Sequence, residues 1–319
     1  MKIITHGGNA HLDDFTACAM ALVNWAWDFQ EYAATEGQTV PLTASLDDAC
    51  ESVIIERRDP TSDELEDPEI LVLDVGGVYD PARRNFDHHQ LPRGTKESAM
   101  SLFAASIGLP NGGFNGTEQY EPGSDKYPAD SLASFFEDAF PWFRTRVSVD
   151  ACGPFATAKD VGVEWDTIAK FLGPLEDVIL KTFENTTPKD RVYVVKPLAE
   201  MILRKHAAWE QVIPHVNYYR PWWSNNGFTV ADFTAANPEE TEACSDMITK
   251  YVTGVAIFHD NRGPGLTLLR LHDDPRIDFT KVKDDKEVAF AHAGGFVVKT
   301  KSKNVDEALR LIRSAYIDK

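Results

Sequence analysis

A short, uninterrupted apolar run in the first third of the chain is the feature that most constrains its fold. Residues Ile70–Leu73 read Ile-Leu-Val-Leu, with no polar residue alternating between them. Such a strand is typical of a parallel sheet that is covered on both faces. Lys2–Thr5 and Val53–Glu56 are further runs of strand length, and Phe15–Phe29 carries apolar residues at helical spacing. Strands that alternate with helices predict an α/β fold.

The length and the charge of the chain limit its domain number and its partners. Its 319 residues suggest two domains. The formal net charge of −18 argues against a protein that holds long nucleic acids mainly through phosphate contacts. A small phosphorylated substrate remains compatible with this charge, because metal ions could supply positive charge locally. No apolar run of about 18 residues is present, so we expect no membrane contact.

Changes in sequence texture along the chain predict where the two domains lie. Residues 108–129 form a loop rich in Gly, Pro, Asn and Tyr, for which a lid and a plain insertion are both open. Helical patterns dominate from Asp130 to about Val212, and two strand-like runs and a terminal helix come later: Tyr251–Phe258, Leu266–Leu271 and Val305–Ala315. We predict an α/β domain over residues 1–190 and a smaller α+β domain over 191–319.

A first cluster of candidate ligands directly follows the first predicted strand, in His6-Gly-Gly-Asn-Ala-His11-Leu-Asp13-Asp14. In an open α/β sheet, ligands bind beyond the carboxyl ends of the strands. Imidazole and carboxylate together suit borderline divalent ions such as manganese, zinc or iron. Helix capping accounts for Asp14, because acids are favoured in the first turn of a helix. A cap needs only one residue, so His6, His11 and Asp13 favour a metal site.

Two further motifs contain acids and histidines in the same region. Asp74 ends the apolar strand, where a buried acid is costly unless it is paired or coordinated. Metal coordination and acceptance of backbone N–H bonds from the following glycine turn are both open for it. In Asp87-His88-His89, adjacent histidines cannot both point into one strand face. We therefore expect one histidine to bind metal and the other to face the substrate or a neighbour, with Asp87 holding a ring N–H.

These motifs resemble those of a known family. The first 14 residues, Arg58–Pro60, Asp74–Pro81 and Phe86–Gln90 are similar to the melanocyte-proliferating-gene-one family, whose members are DHH-like metal-dependent phosphohydrolases. Residues Ala291–Val297 resemble the family's C-terminal His-Ala-x-Gly-Phe motif. The resemblance implies an N-terminal DHH-type domain with a mainly parallel sheet, a smaller C-terminal α+β domain, and an active site in the cleft between them.

The resemblance also implies a centre of two divalent metal ions, with Mn²⁺ expected first and Mg²⁺ as the alternative. The implied ligands form two sets, one for each ion: His6 with His11, and Asp13 with His88. Asp74 would bridge the two ions and act as a catalytic residue. Val149–Gly153 resembles a further acidic motif of the family, which makes Asp150 another expected ligand. This stretch lacks the second acid and the asparagine of that motif.

Other residues are expected to act on the phosphate of the substrate. His89, with Asp87 behind it, is the expected catalytic contact. In the second domain, the turn containing His292, Gly294 and Gly295 could bring backbone N–H groups and an imidazole to a phosphate. The last 29 residues carry six basic side chains against three acidic ones, which fits the same purpose. Two more basic side chains are expected to assist: Arg84 and Lys299.

The sequence therefore predicts a two-metal phosphohydrolase, most specifically a 3′–5′ exonuclease acting on RNA or on short single-stranded oligonucleotides. Its negative charge favours short or single-stranded substrates over long duplexes. Two alternatives stay open, a pyrophosphatase-like hydrolase of small phosphoanhydrides or nucleotides, and a metal-binding protein without turnover. The four cysteines are far apart and form no CxxC pair, which favours the reducing cytoplasm. A homo-oligomer is a further expectation.

Overall fold

The computed structural model divides the chain into two units, Met1–Leu203 and Arg204–Lys319. The sequence texture places this boundary near residue 190. The structure describes these ranges: residues 1–38, 40–92, 94–109, 120–124, 126–164, 166–168, 174–221, 227–250 and 252–317. Among them, no helix is long and apolar enough to cross a membrane.

A five-stranded sheet lies at the centre of the first unit. Its strands are β1 Lys2–Thr5, β2 Ile54–Arg57, β3 Ile70–Leu73, β4 Tyr79–Asp80 and β5 Asn85–Phe86. They lie side by side in the order β2-β1-β3-β5-β4, and every neighbouring pair is parallel except β4 with β5. Ile3, Ile4 and Val72 have no exposed surface, as expected for strands covered on both faces. The prediction of a mainly parallel first sheet is confirmed.

Helices pack on this sheet and complete the first unit. They are α1 Leu12–Thr35, α2 Leu42–Ser52, α3 Ser62–Glu66, α4 Ala99–Ser106, α5 Leu132–Ala139, α6 Phe143–Cys152, α7 Pro154–Val161 and α8 Pro174–Asn185, followed by α9 Arg191–Val212, within which the boundary of the two units falls. Helix α1 contacts β3 as well as α2 and α4, and its residues from Asp13 to Val23 are all buried. The first turn of α1 is therefore fixed against the core of the unit.

The segment predicted as a loop is anchored at its described ends. Residues 110–119 and 125 lie outside the described residues. Tyr120 and Tyr127 are both buried, and the hydroxyl of Tyr120 donates a hydrogen bond of 2.6 Å to the carboxylate of Glu97. Gly108 and Ser131 form an isolated antiparallel bridge that closes the segment. Aromatic packing thus ties this part of the chain to the residues that precede α4.

The second unit contains a six-stranded mixed sheet. Its strands and helices are β6 Asn217–Tyr219, β7 Thr229–Asp232, α10 Pro238–Thr249, β8 Gly254–His259, β9 Leu266–Arg270, β10 Val288–Ala291, β11 Val297–Thr300 and α11 Val305–Ala315. The strand order is β10-β11-β9-β8-β7-β6, and only β7 with β8 is parallel among the described pairs. Helix α11 buries Leu311 and Ile312 in the core formed with this sheet. The prediction of a mixed α/β protein with a second, α+β-type part is confirmed.

Candidate metal centre

The register of two neighbouring strands brings the first two candidate ligands together. Thr5 and Leu73, the last residues of β1 and β3, are paired in the parallel ladder. His6 and Asp74 therefore leave the sheet at the same level, and His6 Nε2 lies 3.4 Å from Asp74 Oδ2. Asp74 is 2% exposed and has a left-handed backbone with φ of 59°. Such a conformation costs a non-glycine residue about 1–3 kcal/mol and is concentrated at functional sites.

The imidazole of His6 is held in the state that a metal ligand requires. Its Nδ1 lies 2.6 Å from the carbonyl oxygen of Gly7, which can only accept, so Nδ1 carries the proton. Nε2 therefore presents a lone pair, and it is buried without a hydrogen-bond partner among the described residues. Asp74 Oδ1 is buried as well, and His88 Nε2 lies 3.3 Å from it. Because buried polar atoms normally have partners, a lone pair on His6 Nε2 beside the Asp74 carboxylate fits a site for a divalent cation.

His88 contacts two carboxylates at once. Its Nε2 lies 3.3 Å from Asp74 Oδ1 and 3.0 Å from Asp150 Oδ2, the second of which is supplied by α6. Burial lowers the pKa of His88, but hydrogen bonds to Asp150 and Asp74 outweigh burial and raise this pKa to about 10. In the metal-free protein the ring is therefore protonated at neutral pH. That proton supplies the positive charge that a cation would otherwise bring to the two acids.

Asp13 also caps helix α4, a role that the sequence did not reveal. Its carboxylate accepts backbone N–H bonds of 2.9 Å from Ala99 and 3.1 Å from Met100, the first two residues of α4. Burial raises the pKa of Asp13 well above its usual range, and the charges of Asp150 and Asp74 raise it further. One atom each from Asp13, Asp74, His88 and Asp150 lies within 4.8 Å of the others. Asp13 thus caps α4 while it faces the cluster.

A second group of ligand atoms overlaps the first. His6, His11 and Asp74 also place one ligand atom each within 4.8 Å of one another. His11 is more open than the other members, with a side chain that is 56% exposed, and its Nδ1 lies 4.0 Å from Asp150 Oδ1. Asp74 belongs to both groups, which is the arrangement expected of a bridging ligand.

The prediction that Asp14 serves as a helix cap is confirmed. Its Oδ1 accepts the backbone N–H of His11 at 2.8 Å, at the start of α1. Burial raises the pKa of Asp14 to about 6, against the opposing effects of His6 and Arg57. Oδ2 of Asp14 lies 3.6 Å from His6 Nε2, so the cap also borders the cluster.

Asp87 and His89 form a pair at the open side of the cluster. Asp87 is 2% exposed and accepts backbone N–H bonds from Gly77 and His89. Its Oδ1 also lies 2.6 Å from Nδ1 of His89, whose side chain is 65% exposed. Burial alone would raise the pKa of Asp87, but these hydrogen bonds lower it below its usual value. A charged Asp87 therefore fixes the exposed ring of His89 through Nδ1 and leaves Nε2 unengaged by Asp87.

A cleft of about 390 Å³ opens over the cluster. Its lining combines ligand candidates with part of the chain that leads to α4: His11, Asp74, His88, His89, Leu91, Pro92, Gly94, Thr95, Asp150 and Ala151. The structure thus brings together eight of the predicted site residues in the first unit, with His6 and Asp13 in contact with the lining ones and Asp87 behind His89.

The predicted phosphate-binding turn of the second unit is present, but its amides are not free. Gly294 N–H donates to His292 Nδ1 at 3.0 Å, and Gly295 N–H donates to the carbonyl oxygen of His292 at 2.9 Å. These amides are therefore engaged within the turn, and their binding of phosphate stays a prediction. His292 itself is exposed, and because Nδ1 accepts a bond, its ring proton lies on Nε2.

Two basic residues predicted to assist also have different surroundings. Lys299 forms an ion pair with Asp260, which directly follows β8. This ion pair neutralises the charge of Lys299. Arg84 lies near the amino end of β3, since its carbonyl oxygen accepts the N–H of Val72. Its side chain lines a different cavity, which shares no residue with the cleft over the cluster. Arg84 is therefore not part of the cluster, and the prediction that it assists there is wrong.

The sequence analysis did not identify two residues that hold the turn between β1 and α1 in place. Arg57, at the end of β2, donates to the carbonyl oxygen of Gly8 and lies 3.5 Å from Asp14 Oδ2. Glu184 of α8 accepts the N–H of Ala10 at 2.6 Å. Arg57 could have been found, because β2 was predicted and its carboxyl end meets the same edge of the sheet. Nothing in the local sequence around Glu184 indicates its role.

Comparisons with known proteins agree with the N-terminal motifs. The family model MYG1_exonuc, described as an uncharacterised protein family (UPF0160), matches residues 2–109. The protein named MYG1 exonuclease from Bos taurus is 34% identical over 101 residues, which cover 32% of this chain and 19% of the bovine one. Its counterpart from Homo sapiens is 35% identical over 101 residues, covering 32% and 20%. The resemblance predicted from the motifs is confirmed for this segment.

The alignments leave most of each relative unmatched. The chain spans about a fifth of the length of the curated relatives it matches. A solved DHH domain, described as a member of the s1p family of ribosomal proteins, is similar at 13% identity with a TM-score of 0.28, covering 98% of this chain and 85% of that chain. A likeness of this size supports no conclusion about the fold.

The first prediction concerns metal binding. Replacing His88 with alanine removes an imidazole that contacts Asp74 and Asp150. We expect His88→Ala to weaken Mn²⁺ binding by at least about tenfold in isothermal titration calorimetry, as is usual when ligand support is lost. His215→Ala, which removes an exposed histidine from the second unit, is the matched control and should bind Mn²⁺ like the wild type. Equal affinity in both variants would contradict the assignment.

The second prediction concerns the stability of the metal-free protein. The pKa of His88 is raised in the folded state from 6.5 to about 10. Its protonated form therefore stabilises the fold fully below about pH 6.5, and this contribution is lost as the pH rises towards 10. In the presence of EDTA, the wild type should exceed His88→Gln in Tm most clearly at pH 6, and the difference should shrink by pH 9.5. A difference in Tm that grows with pH would refute the inferred protonation.

Proposed function

We propose that this protein is a metal-dependent phosphohydrolase whose centre is the cluster at the carboxyl end of the first sheet. The proposal rests on one observation above all. His6 Nε2 is buried without a hydrogen-bond partner among the described residues and lies 3.4 Å from the buried carboxylate of Asp74, which also belongs to the group formed with Asp13, His88 and Asp150. A divalent cation satisfies such acceptor atoms, and an apolar ligand does not.

We propose two ions, Mn²⁺ or Mg²⁺, held by two overlapping sets of side chains. One set consists of His6, His11 and Asp74, and the other consists of Asp13, Asp74, His88 and Asp150. The sharing of Asp74 supports its assignment as the bridging ligand. When bound, a pair of ions supplies an activated water and neutralises the charge that develops on the phosphoryl oxygens.

His89 is the proposed catalytic contact of the chain with the phosphate. Asp87 holds its Nδ1 proton, so Nε2 is the atom that is left to meet the substrate. A protonated Nε2 donates a hydrogen bond to a phosphoryl oxygen or transfers its proton to the leaving oxygen. Asp87 is a positioning residue in this scheme.

The proposed substrate is RNA or a short single-stranded oligonucleotide, degraded from its 3′ end. Two matched relatives are named exonucleases, which supports a nucleic-acid substrate. The net charge of −18 supports a short substrate, since few phosphates can be neutralised by the protein. His292 is kept as a proposed contact with the substrate, because Gly294 fixes its Nδ1 and leaves Nε2–H to donate.

The cytoplasm is the proposed location. The four cysteines, Cys18, Cys50, Cys152 and Cys244, are free thiols in the structure. Burial raises the pKa of the Cys50 and Cys244 thiols to about 11, so neither is primed for oxidation. This chemistry supports a reducing compartment.

The third prediction tests hydrolysis directly. The Mn²⁺-loaded protein is incubated with an oligoribonucleotide, an oligodeoxyribonucleotide and pyrophosphate, and oligonucleotides labelled at either end reveal the polarity. We expect mononucleotides released from the 3′ end of RNA. Asp74→Asn should lower kcat by at least about a hundredfold, because it removes the charge that both groups of ligands share. Asp284→Asn, at an exposed acid, is the control and should keep full activity.

Each other outcome of this experiment selects an alternative. Turnover of pyrophosphate alone would favour the small-phosphoanhydride hydrolase. Bound Mn²⁺ with no product from any of the three substrates would favour a metal-binding protein without turnover. Full activity of Asp74→Asn with normal metal content would refute the bridging role of Asp74.

The fourth prediction tests the second unit. A side chain that contacts the substrate but not the metal should affect catalysis without affecting metal content. We expect His292→Ala to retain the Mn²⁺ stoichiometry and to lower kcat/KM about tenfold, or about 1.4 kcal/mol of transition-state stabilisation. His215→Ala, an exposed histidine of the same unit, serves as the control. Unchanged kinetics of His292→Ala would remove this residue from the proposed site.

A further inference from the structure

A second cavity lies in the first unit, near the amino end of its sheet. Its volume is about 490 Å³, within the range of pockets that enclose small organic ligands. It is lined by Leu71, the second residue of β3, and by Pro81, Ala82 and Arg84 of the turn before β5. It shares no lining residue with the cleft over the metal cluster. A molecule bound here would therefore leave the metal centre accessible.

One wall of this cavity is apolar and aromatic. It is formed mainly by six side chains from β3, β5, α1 and α4 or its C-cap: Ala21, Trp25, Leu71, Phe86, Phe103 and Ile107. Trp25 is only half-buried, in contrast to the fully packed Phe86 and Phe103, so part of its indole is available to a ligand. A flat ring system is the chemical group that such a wall accommodates best.

A cationic side chain also lines the cavity. Arg84 is half-buried, yet its guanidinium forms no hydrogen bond or ion pair with any residue that the structure describes. Its neighbour Arg83 differs, since it pairs with Glu66 at 2.6 Å and its side chain is 49% exposed. Asp28 lies close enough to interact electrostatically with Arg84, but it forms no ion pair with it and does not line the cavity.

The backbone of Arg84 fixes where its side chain begins. Its φ of 56° is left-handed, and its N–H donates to the carbonyl oxygen of Pro81. Its carbonyl oxygen accepts the N–H of Val72 in β3. The guanidinium thus extends from a fixed point on the cavity wall. A planar donor group in this position favours a carboxylate or a phosphate, which it can bind through two parallel hydrogen bonds.

We propose that this cavity binds a nucleoside monophosphate, with the base on the Trp25 wall and the phosphate on Arg84. Asn24 also lines the cavity, and its amide is the polar group that can meet the edge of a base. The lining residues alone indicate a ligand in which a flat ring is joined to an anionic group. The choice of a nucleotide among such anions rests on the proposed function, because the proposed exonuclease would release molecules of this class.

The fifth prediction is measured by isothermal titration calorimetry of adenosine 5′-monophosphate into the full chain in the presence of EDTA. We expect saturable binding of one molecule per chain. Arg84→Gln should weaken it at least about tenfold, or about 1.4 kcal/mol, since it removes hydrogen bonds between two charged groups. Arg83→Gln is the matched control, and it should leave the affinity unchanged because Arg83 points to Glu66.

A further variant tests the aromatic wall, and two further ligands test the identity of the bound molecule. Trp25→Leu should also weaken binding, and it keeps the test valid if Arg84→Gln does not fold. Inorganic phosphate and benzoate should each bind more weakly than adenosine 5′-monophosphate. Benzoate that binds as tightly as the nucleotide would overturn the assigned ligand class. Binding that is absent at millimolar concentration, or is weakened equally by Arg83→Gln, would overturn the site.

This test separates the inference from the proposed function. Asp74→Asn should bind adenosine 5′-monophosphate like the wild type, because Asp74 does not line this cavity. Loss of binding in Asp74→Asn, with Arg84→Gln unaffected, would place the nucleotide in the metal cleft and overturn the inference. Nucleotide binding that depends on Arg84 in a protein without hydrolytic activity would leave the cavity assigned and would refute only the proposed function.

Discussion

The parallel register of β1 and β3 is the constraint on which the candidate site depends. Because Thr5 pairs with Leu73, the residues that follow both strands leave the sheet at one level, and His6 meets Asp74. In a parallel α/β arrangement, the helices that follow the strands begin at this same edge. Their first turns therefore bring Asp13 and the amides of α4 to the residues that end the strands. A shift of one residue in this ladder would separate the two ligand groups.

The same convergence concentrates negative charge where little water can reach it. Asp13 and Asp74 are almost fully buried, and Asp150 is close to both. Burial and the neighbouring charges of Asp150 and Asp74 raise the pKa of Asp13, and a proton on His88 offsets part of the negative charge. A divalent cation supplies more charge than this proton, so its binding displaces protons from the cluster. Metal affinity and pH are therefore linked through the same four side chains.

The sequence predicted the sheet and the ligand types well, because both depend on local pattern. The run Ile70–Leu73 identified β3, and the acids and histidines that follow β1, β3 and β5 do meet in space. The sequence could not predict which distant group forms a hydrogen bond or an ion pair with a given side chain. The ion pair of Lys299 with Asp260 and the hydrogen bond between Ala10 and Glu184 both depend on tertiary contacts. Arg84 was expected beside the cluster but lines a different cavity. A sequence shows the spacing of residues along a strand, but it does not show at which edge of the sheet a side chain lies.

The way each acid is held suggests how the centre is organised before any cation binds. Asp13 is fixed by the amides of α4, Asp14 by the amide of His11, and Asp87 by those of Gly77 and His89. These hydrogen bonds come from backbone that the fold positions in any case. The histidines are held more lightly, since His6 is oriented by one carbonyl oxygen and His89 by one carboxylate. Asp13, Asp14 and Asp87 are therefore positioned by the fold itself, so a cation would bind beside acids that are already held in place.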